Sequence, residues 1–507
     1  MGVSSERRDR IDKTFHGFPA MPPARPAFLS DMPPKRYDAV VVGSGPNGLA
    51  AAVTLARAGR SVLVMEAAET IGGGCRTQPL TLPGYLHDVC SAVHPLAPPS
   101  PVLQALPLDD FGLRWIQPPI ALAHPLLDGS AAVLRHSLIE TAAGFGVDGA
   151  AYTRLMQPLV DAGDAIIEHI LSPLSLPRQP IPLARFGLRG LQSAQRLATR
   201  WFTQQRVRGM FAGLAAHATL PLDRSLTAAV GLMFAIAAHR GGWPMPAGGA
   251  QQIVIALRRY FESLGGEVVT SAPVRSLTDV PPTRAILLDV SPRNLCRIAG
   301  DALPAAYRGK LQRFRHGPGV FKLDWALDGP IPWTSPLCKL AGTVHVGGTL
   351  EDVAAAEQAP WDGEVAESPF LLVAQQSLFD SSRAPQGKHT GWAYCHVPHG
   401  SEVDMTERIE TQLERFAPGF RNTILQRHIT TPAELQQYNE NYIGGDISGG
   451  VMDVWQMIAR PVMGLNPYAT PNPSLFLCSA STPPGPGVHG MCGFHAATAA
   501  LRTTLRK

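Results

Sequence analysis

The sequence predicts an α/β fold: a parallel sheet of dinucleotide-binding type, interrupted by a second domain of mixed helix and strand. Three observations predict it. A strand, glycine turn, helix and second strand follow one another from Tyr37. A long helical stretch and then a series of short strand-like runs fill the middle of the chain. A strand, a Gly/Pro loop and a helix close it, from Ser474 to Leu501. At 507 residues the chain exceeds what one hydrophobic core serves, so at least two domains sharing a cleft are expected.

The first 36 residues are Pro-rich between Pro19 and Pro34 and read as a flexible leader. Arg7, Arg8 and Arg10 are interrupted by acids and no apolar stretch follows, a pattern unlike a secretory signal or transit peptide. Ala39-Val-Val-Val42 is an uninterrupted apolar run, as in a parallel strand buried on both faces. Gly43 to Gly48 forms a turn, Leu49 to Ala58 has helical spacing, and Gly59 stops that helix. Ser61 to Met65 is a second strand, ending at Glu66, which completes a βαβ unit. From Gly149 to about Ala238 the pattern is helical, broken by the Pro-rich loop Ser172 to Pro182. Its most apolar part is Leu226 to Ala238, too short to span a bilayer. Ala250 to Leu264 reads as an amphipathic helix, with Glu267 to Ser271 and Arg284 to Val290 as strands. Phe314 to Val397 suggests an antiparallel sheet, Met405 to Phe416 a helix, and Met491 to Leu501 the last helix.

The strongest chemical signal is Gly43-Ser44-Gly45-Pro46-Asn47-Gly48 between strand and helix. Gly43 allows the tight turn, Gly45 lets backbone approach a pyrophosphate, and Gly48 lets the helix pack closely on the strand. The helix N-terminus adds free N–H groups and the positive end of its dipole. Glu66, followed by Ala67, stands where a ribose hydroxyl needs an acceptor. A second cluster follows in Ile71-Gly-Gly73-Gly74-Cys-Arg76-Thr77. The closing segment, Leu475 to Met491, contains Ser481, Gly485, Gly487, His489 and Gly490.

Taken together, these motifs resemble the glutathione-reductase-type flavoproteins, and among them the phytoene-desaturase-like oxidoreductases. The branch named for pyridine nucleotide-disulfide oxidoreductase domain-containing protein 2 looks most similar. The resemblance implies FAD as cofactor. It implies that Gly73, Gly74, Arg76 and Thr77 contact phosphate, with Arg76 two places later than the arginine usual in the family. It further implies that Val274 meets the adenine through its backbone. Ser481, Gly490 and Met491 would lie against the flavin end, where the last helix directs its positive end at the ring. The expected FAD-binding domain comprises residues 37–130, 241–300 and 465–507, and the substrate domain 131–240 and 301–464. No redox CxxxxC follows the first helix and no second GxGxxG appears, so a nicotinamide site is not expected.

The expected chemistry is transfer of hydride from a C–H bond of an apolar small molecule to flavin, with oxygen or a quinone as electron acceptor. Flavin-dependent isomerisation without net oxidation, or a flavoprotein with an interaction role, remain alternatives. His489 is the first candidate for a base or hydrogen-bond donor. His94 could also lie near the cofactor, although its segment, with Asp88 and Ser91, reads better as a turn, and His495 reads as a packed core histidine. Trp243 and Met245 could line an apolar cavity. Lys322 and Asp324 read as a surface salt bridge. The closing loop lacks the aromatic pair of an amine cage. Cys75 and Cys492 read as small buried residues rather than reactive thiols.

Composition bounds the partners. The net charge of +4 is mild and the basic residues are scattered, which argues against nucleic acid. Hydrophobic residues make up 45% and charged residues 17%, which suits a greasy cavity or a peripheral membrane contact. Seven widely spaced cysteines without CxxC argue against a disulfide framework or metal site and favour a cytoplasmic location.

Overall fold

The computed structural model describes residues 36–506. The leader expected for residues 1–36 therefore lies, but for Arg36, outside the described residues. Twelve strands of three residues or more form two sheets. In chain order they are β1 (Tyr37–Val42), β2 (Val62–Met65), β3 (Ile120–Pro125), β4 (Ala131–Leu134), β5 (Glu267–Val269) and β6 (Thr283–Leu288). They continue with β7 (Gly319–Leu327), β8 (Ala341–Val346), β9 (Leu371–Ala374), β10 (His389–Val397), β11 (Ile424–Thr430) and β12 (Leu475–Leu477).

The first sheet is wholly parallel, in the order β12-β6-β1-β2-β5. Its strands come from three distant parts of the chain. Alternation along β1 divides its sides: Ala39 and Val41 face one apolar cluster, Val40 and Val42 the other. On the first side lie three helices: α1 (Pro46–Arg57), Gln251–Ser263 and Met491–Arg502. A Cβ on Gly493 would stand 1.8 Å from the Asn47 carbonyl oxygen, so the last helix meets α1 almost backbone to backbone. The helix Pro292–Ala299 covers the other side through Leu295 and Ile298.

The second sheet runs β11-β7-β10-β9-β8-β3-β4. The antiparallel sheet expected from Phe314 onward is present as β7 to β10, but β8 pairs in parallel with β3. The boundary at residue 130 is thereby corrected. Residues 120–125 and 131–134 belong to the second sheet, because β3 is buried throughout and completes its edge with β4. One face, with Phe321, Leu323, Trp325, Val344, Val373 and Ala393, packs on the helix Thr406–Phe416 through Ile409 and Leu413. The opposite face looks toward the first domain, across helices that include Gln205–Ala216 and Thr227–Gly241.

Candidate active site

Register places three strand ends side by side. Val42 of β1 is level with Met65 of β2 on one flank and Leu288 of β6 on the other. The residues that follow, Gly43, Glu66 and Asp289, therefore meet at one sheet edge, and all three line a cavity of about 920 Å³. This is where the strand order of an open parallel sheet leaves a crevice for a dinucleotide.

The phosphate cradle is built of main chain. Gly43 has φ of +102°, and a Cβ there would stand 3.1 Å from the Asp289 Cβ. A Cβ on Gly45 would lie 3.0 Å from Asp289 Oδ2, and one on Gly73 would lie 3.0 Å from the Gly45 Cα. Two glycine loops thus face each other at a separation that no side chain fits. Gly45 caps α1 without a side-chain hydrogen bond, and Pro46 occupies its first turn. Of the first-turn donors, the Gly48 N–H goes to Asp289 and the Leu49 N–H to the Gly45 carbonyl, which leaves the Asn47 N–H for an anion. Gly43, Ser44, Gly45, Pro46, Asn47, Gly73 and Gly74 all line the cavity. Gly48 does not. Its Cβ would strike the Gly43 carbonyl oxygen at 2.1 Å, so it sets the helix-to-strand distance.

Glu66 is held from four directions. Its Oε2 accepts the Ser44 N–H at 2.9 Å and the Ser44 hydroxyl at 2.5 Å. Its Oε1 accepts the Ala68 N–H at 2.9 Å and pairs with Arg76 Nη2 at 3.2 Å. Arg76 is buried and lines the cavity, and it donates to the Thr70 carbonyl from Nε at 3.0 Å and Nη2 at 2.8 Å. Its guanidinium lies over the Tyr438 ring at 5.2 Å. Ala67 and Val274 also line the cavity.

Asp289 was not foreseen. Its Oδ2 accepts the Gly48 N–H at 2.9 Å. Burial pushes its carboxyl up to about 7; the Gly48 hydrogen bond opposes this and the charge of Glu66 adds to it. The sequence signal is an acid ending the apolar run Leu287-Leu288-Asp289, at the same level as Glu66 after β2.

Four residues expected at the cofactor, Gly48, Thr77, Gly490 and Met491, do not line the cavity. The Thr77 hydroxyl donates to Asp88 at 2.8 Å and accepts the Gln251 N–H, tying the glycine loop to a neighbouring helix. Gly490 has φ of +70° and packs where a Cβ would meet Ala50. The Met491 N–H is taken by His489 Nδ1 at 3.0 Å, so this first donor of the last helix is occupied internally. Ser481 lines the cavity while its hydroxyl donates to the Gly449 carbonyl at 2.9 Å.

His489 is fully buried and lines the cavity, and burial pushes its ring down to about 4. At neutral pH it is therefore uncharged. Because Nδ1 accepts from Met491, Nε2 carries the proton, and the Gly485 and Pro486 backbone beside the ring partly offsets the effect of burial. His489 is arranged as a donor, not a base. His94 also lines the cavity, pushed to about 4 by burial, with Nε2 3.2 Å from the Ser91 hydroxyl. His495 instead bonds the Leu171 carbonyl.

Beyond the cradle the cavity widens between the two domains. Trp392, Tyr394 and His396 alternate along β10 and present one face to it, while Ala393, Cys395 and Val397 enter the opposite core. The Trp392 and Tyr394 rings meet edge to face at 5.2 Å, and Trp392 Nε1 donates to the Asp88 carbonyl. His396 Nδ1 lies 2.8 Å from the buried Glu357 carboxylate. His217, Phe234 and Trp243 complete this end, and Met245 stays outside it. The segment Leu226 to Phe234 contributes Leu226, Ala229, Val230, Met233 and Phe234 to the wall. Lys322 and Asp324, expected at the surface, are buried as an ion pair on the cavity-side face of β7, with the ammonium 5.5 Å from the Trp392 ring. Cys75 and Cys492 are buried, which pushes both thiols up to about 12.

A model of the NAD(P)-binding Rossmann-like domain matches residues 41–106. A solved structure of putrescine oxidase bound to putrescine superposes with a TM-score of 0.59 at 20% identity, covering 92% of this chain and 99% of that one. That likeness establishes the fold. With the glycine cradle and the relatives below, it defines an FAD-dependent oxidoreductase with a Rossmann-type FAD-binding domain. Within that class the similarity runs to the phytoene-desaturase-like proteins. Pyridine nucleotide-disulfide oxidoreductase domain-containing protein 2 of Rattus norvegicus is 24% identical over 92% of this chain and 93% of its own length. Phytoene desaturase (lycopene-forming) of Pantoea ananas is 28% identical over 53% of this chain and 58% of its own.

Proposed function

We propose that this FAD-dependent oxidoreductase oxidises or desaturates a largely apolar small molecule in the chamber between its two domains. The observation that carries the reading is continuity. One cavity extends from the glycine cradle to a chamber walled by the apolar segment Leu226 to Phe234 and by Trp392 and Tyr394. Such a chamber gains affinity from apolar area removed from water, roughly 25 cal/mol per Å². When bound, FAD would supply the redox chemistry, as a two-electron acceptor for a substrate C–H bond with oxygen or a quinone as the final acceptor.

The chain's own groups divide the remaining work. Gly43, Ser44, Gly45, Gly73 and Gly74 would present backbone to the pyrophosphate, Glu66 would hold the ribose, and Val274 would border the adenine. His489 holds a proton on Nε2 and donates a hydrogen bond toward the cofactor. His396 is the better-placed proton acceptor: Glu357 binds its Nδ1 side, which leaves Nε2 for the cavity. Trp392 and Tyr394 orient the substrate.

Anaerobic titration of the purified flavoprotein with apolar polyenes, retinoids and amines tests the reading. Bleaching of the oxidised flavin by an apolar compound supports oxidation. Conversion of a polyene without bleaching would instead favour isomerisation, and turnover of a hydrophilic amine alone would refute the substrate class.

A further inference from the structure

We propose that the face formed by the loop after Ile170 and the helix Pro180–Gly190 docks on an anionic lipid bilayer, so that the cavity mouth opens into the acyl layer. The helix is apolar on two sides. Its inner side packs on Thr227–Gly241, where a Cβ on Gly190 would lie 2.9 Å from the Ala229 Cβ. Its outer side carries Ile181, Ala184, Arg185 and Leu188, at the spacing that places them on one stripe. A helix facing water carries polar residues on that stripe; here Ile181 is 66% and Leu188 74% exposed. The preceding loop adds Leu174 at 75% and Leu176 at 94%, and Leu191 follows at 59%. Clustered apolar exposure of this kind marks a surface made to be covered.

Charge identifies the cover. No Asp or Glu occurs between Glu168 and Asp223, whereas Arg178, Arg185, Arg189, Arg196 and Arg200 fall inside that interval. Glu168 at the edge of the patch pairs with Arg178 at 3.2 Å, and the remaining arginines stand in excess. Apolar side chains interleaved with an excess of arginines match the boundary between acyl chains and anionic headgroups. A two-fold pairing of two copies would set this net-basic patch against itself. A second exposed group, Trp455, Met463 and Leu465, also lies in acid-free sequence, since no residue after Asp453 is acidic.

The patch and the cavity share walls. Leu174 and Phe186 line the cavity on the side of the docking helix, and Met457 lines it beside Trp455. An apolar ligand entering between them would pass from lipid to chamber without crossing bulk water. No helix among the described residues is long and apolar enough to cross a membrane, so the contact is interfacial.

The test is co-sedimentation of the FAD-loaded protein with vesicles of phosphatidylcholine containing phosphatidylserine, against vesicles of phosphatidylcholine alone. The wild type should sediment with the anionic vesicles, and less so as salt rises. The exposed pair Leu176→Asp and Leu188→Asp should abolish sedimentation while the flavin spectrum stays unchanged, which certifies the fold. Arg178→Glu with Arg185→Glu should weaken binding to anionic vesicles by roughly fivefold or more per arginine and leave the neutral-vesicle background unaltered. Wild-type protein that ignores anionic vesicles at low salt, or an aspartate pair that binds as the wild type does, overturns the proposal. So does a solution dimer that the aspartate pair dissociates, since the patch would then cover a second copy. None of these outcomes depends on the substrate assignment.

Discussion

Asp289 places a carboxyl with a pushed-up pKa at the edge of a phosphate cradle, and its replacement by asparagine has a calculable consequence. Below about pH 4 the group is protonated in both the folded and the unfolded chain and costs nothing. Between its ordinary value of 3.8 and about 7 the unfolded chain releases the proton while the folded chain keeps it. Stability therefore falls as pH rises through that window, and the full penalty stands above it. The difference corresponds to about 4 kcal/mol at 1.36 kcal/mol per pH unit. A phosphate seated on the cradle adds negative charge nearby and pushes in the same direction. Asparagine keeps an acceptor for the Gly48 N–H and carries no charge. Asp289→Asn should thus melt at a higher temperature than the wild type at pH 8, and by a much smaller margin at pH 4.5. The release of flavin fluorescence on heating, followed across pH, measures both. Melting curves for the two proteins that run parallel from pH 4.5 to 8 would refute the reasoning.

The other expectations are more local. NADH and NADPH should reduce the bound flavin slowly, because the chain carries one dinucleotide fingerprint; rapid stoichiometric reduction in a stopped-flow spectrometer would contradict this. The thiols of Cys75 and Cys492, pushed to about 12 by burial, should resist iodoacetamide at pH 8 in native protein and react once it is unfolded, as peptide mass mapping would reveal. Val230→Asp and Met233→Asp, in the chamber wall, should each weaken binding of an apolar polyene such as retinol by about 2 kcal/mol, roughly thirtyfold, with FAD retained. Unchanged retinol affinity by fluorescence titration would show that the chamber does not take such a ligand.

The first domain was largely legible because its signals are local. Strand, glycine turn, helix and acid stand within thirty residues, and each has a backbone reason to be there. Gly48 read as the glycine that lets helix pack on strand, and its Cβ clash agrees; Gly490 read as a flavin-end residue, and its own clash is also with packing. A glycine permits close approach without saying what approaches: for Gly48 it is the Gly43 carbonyl, for Gly490 the Ala50 side chain. Thr77 and Met491 also read as cofactor contacts, and their hydrogen-bonding groups find partners within the chain, Asp88 and His489. The second domain was harder. Its sheet joins β3 to β8 across more than two hundred residues, a pairing without a local signature. Lys322 and Asp324 looked like a surface pair because their sequence neighbours do not reveal that β10 and β11 flank β7 on both sides. The alternation Trp392, Tyr394, His396 was readable as a strand face, but its direction toward the cradle depends on how the two domains meet.

The central claim, that the glycine cradle holds FAD without a covalent bond, is tested by what co-purifies. Acid precipitation of the purified protein should release one flavin per chain into the supernatant, identified by mass as FAD. The Gly45→Val variant, whose added side chain would enter the gap between Asp289 and Gly73, should remain folded by circular dichroism and lose that flavin. A flavin that stays in the pellet, a nucleotide other than FAD in the supernatant, or full FAD occupancy in Gly45→Val would each contradict the account.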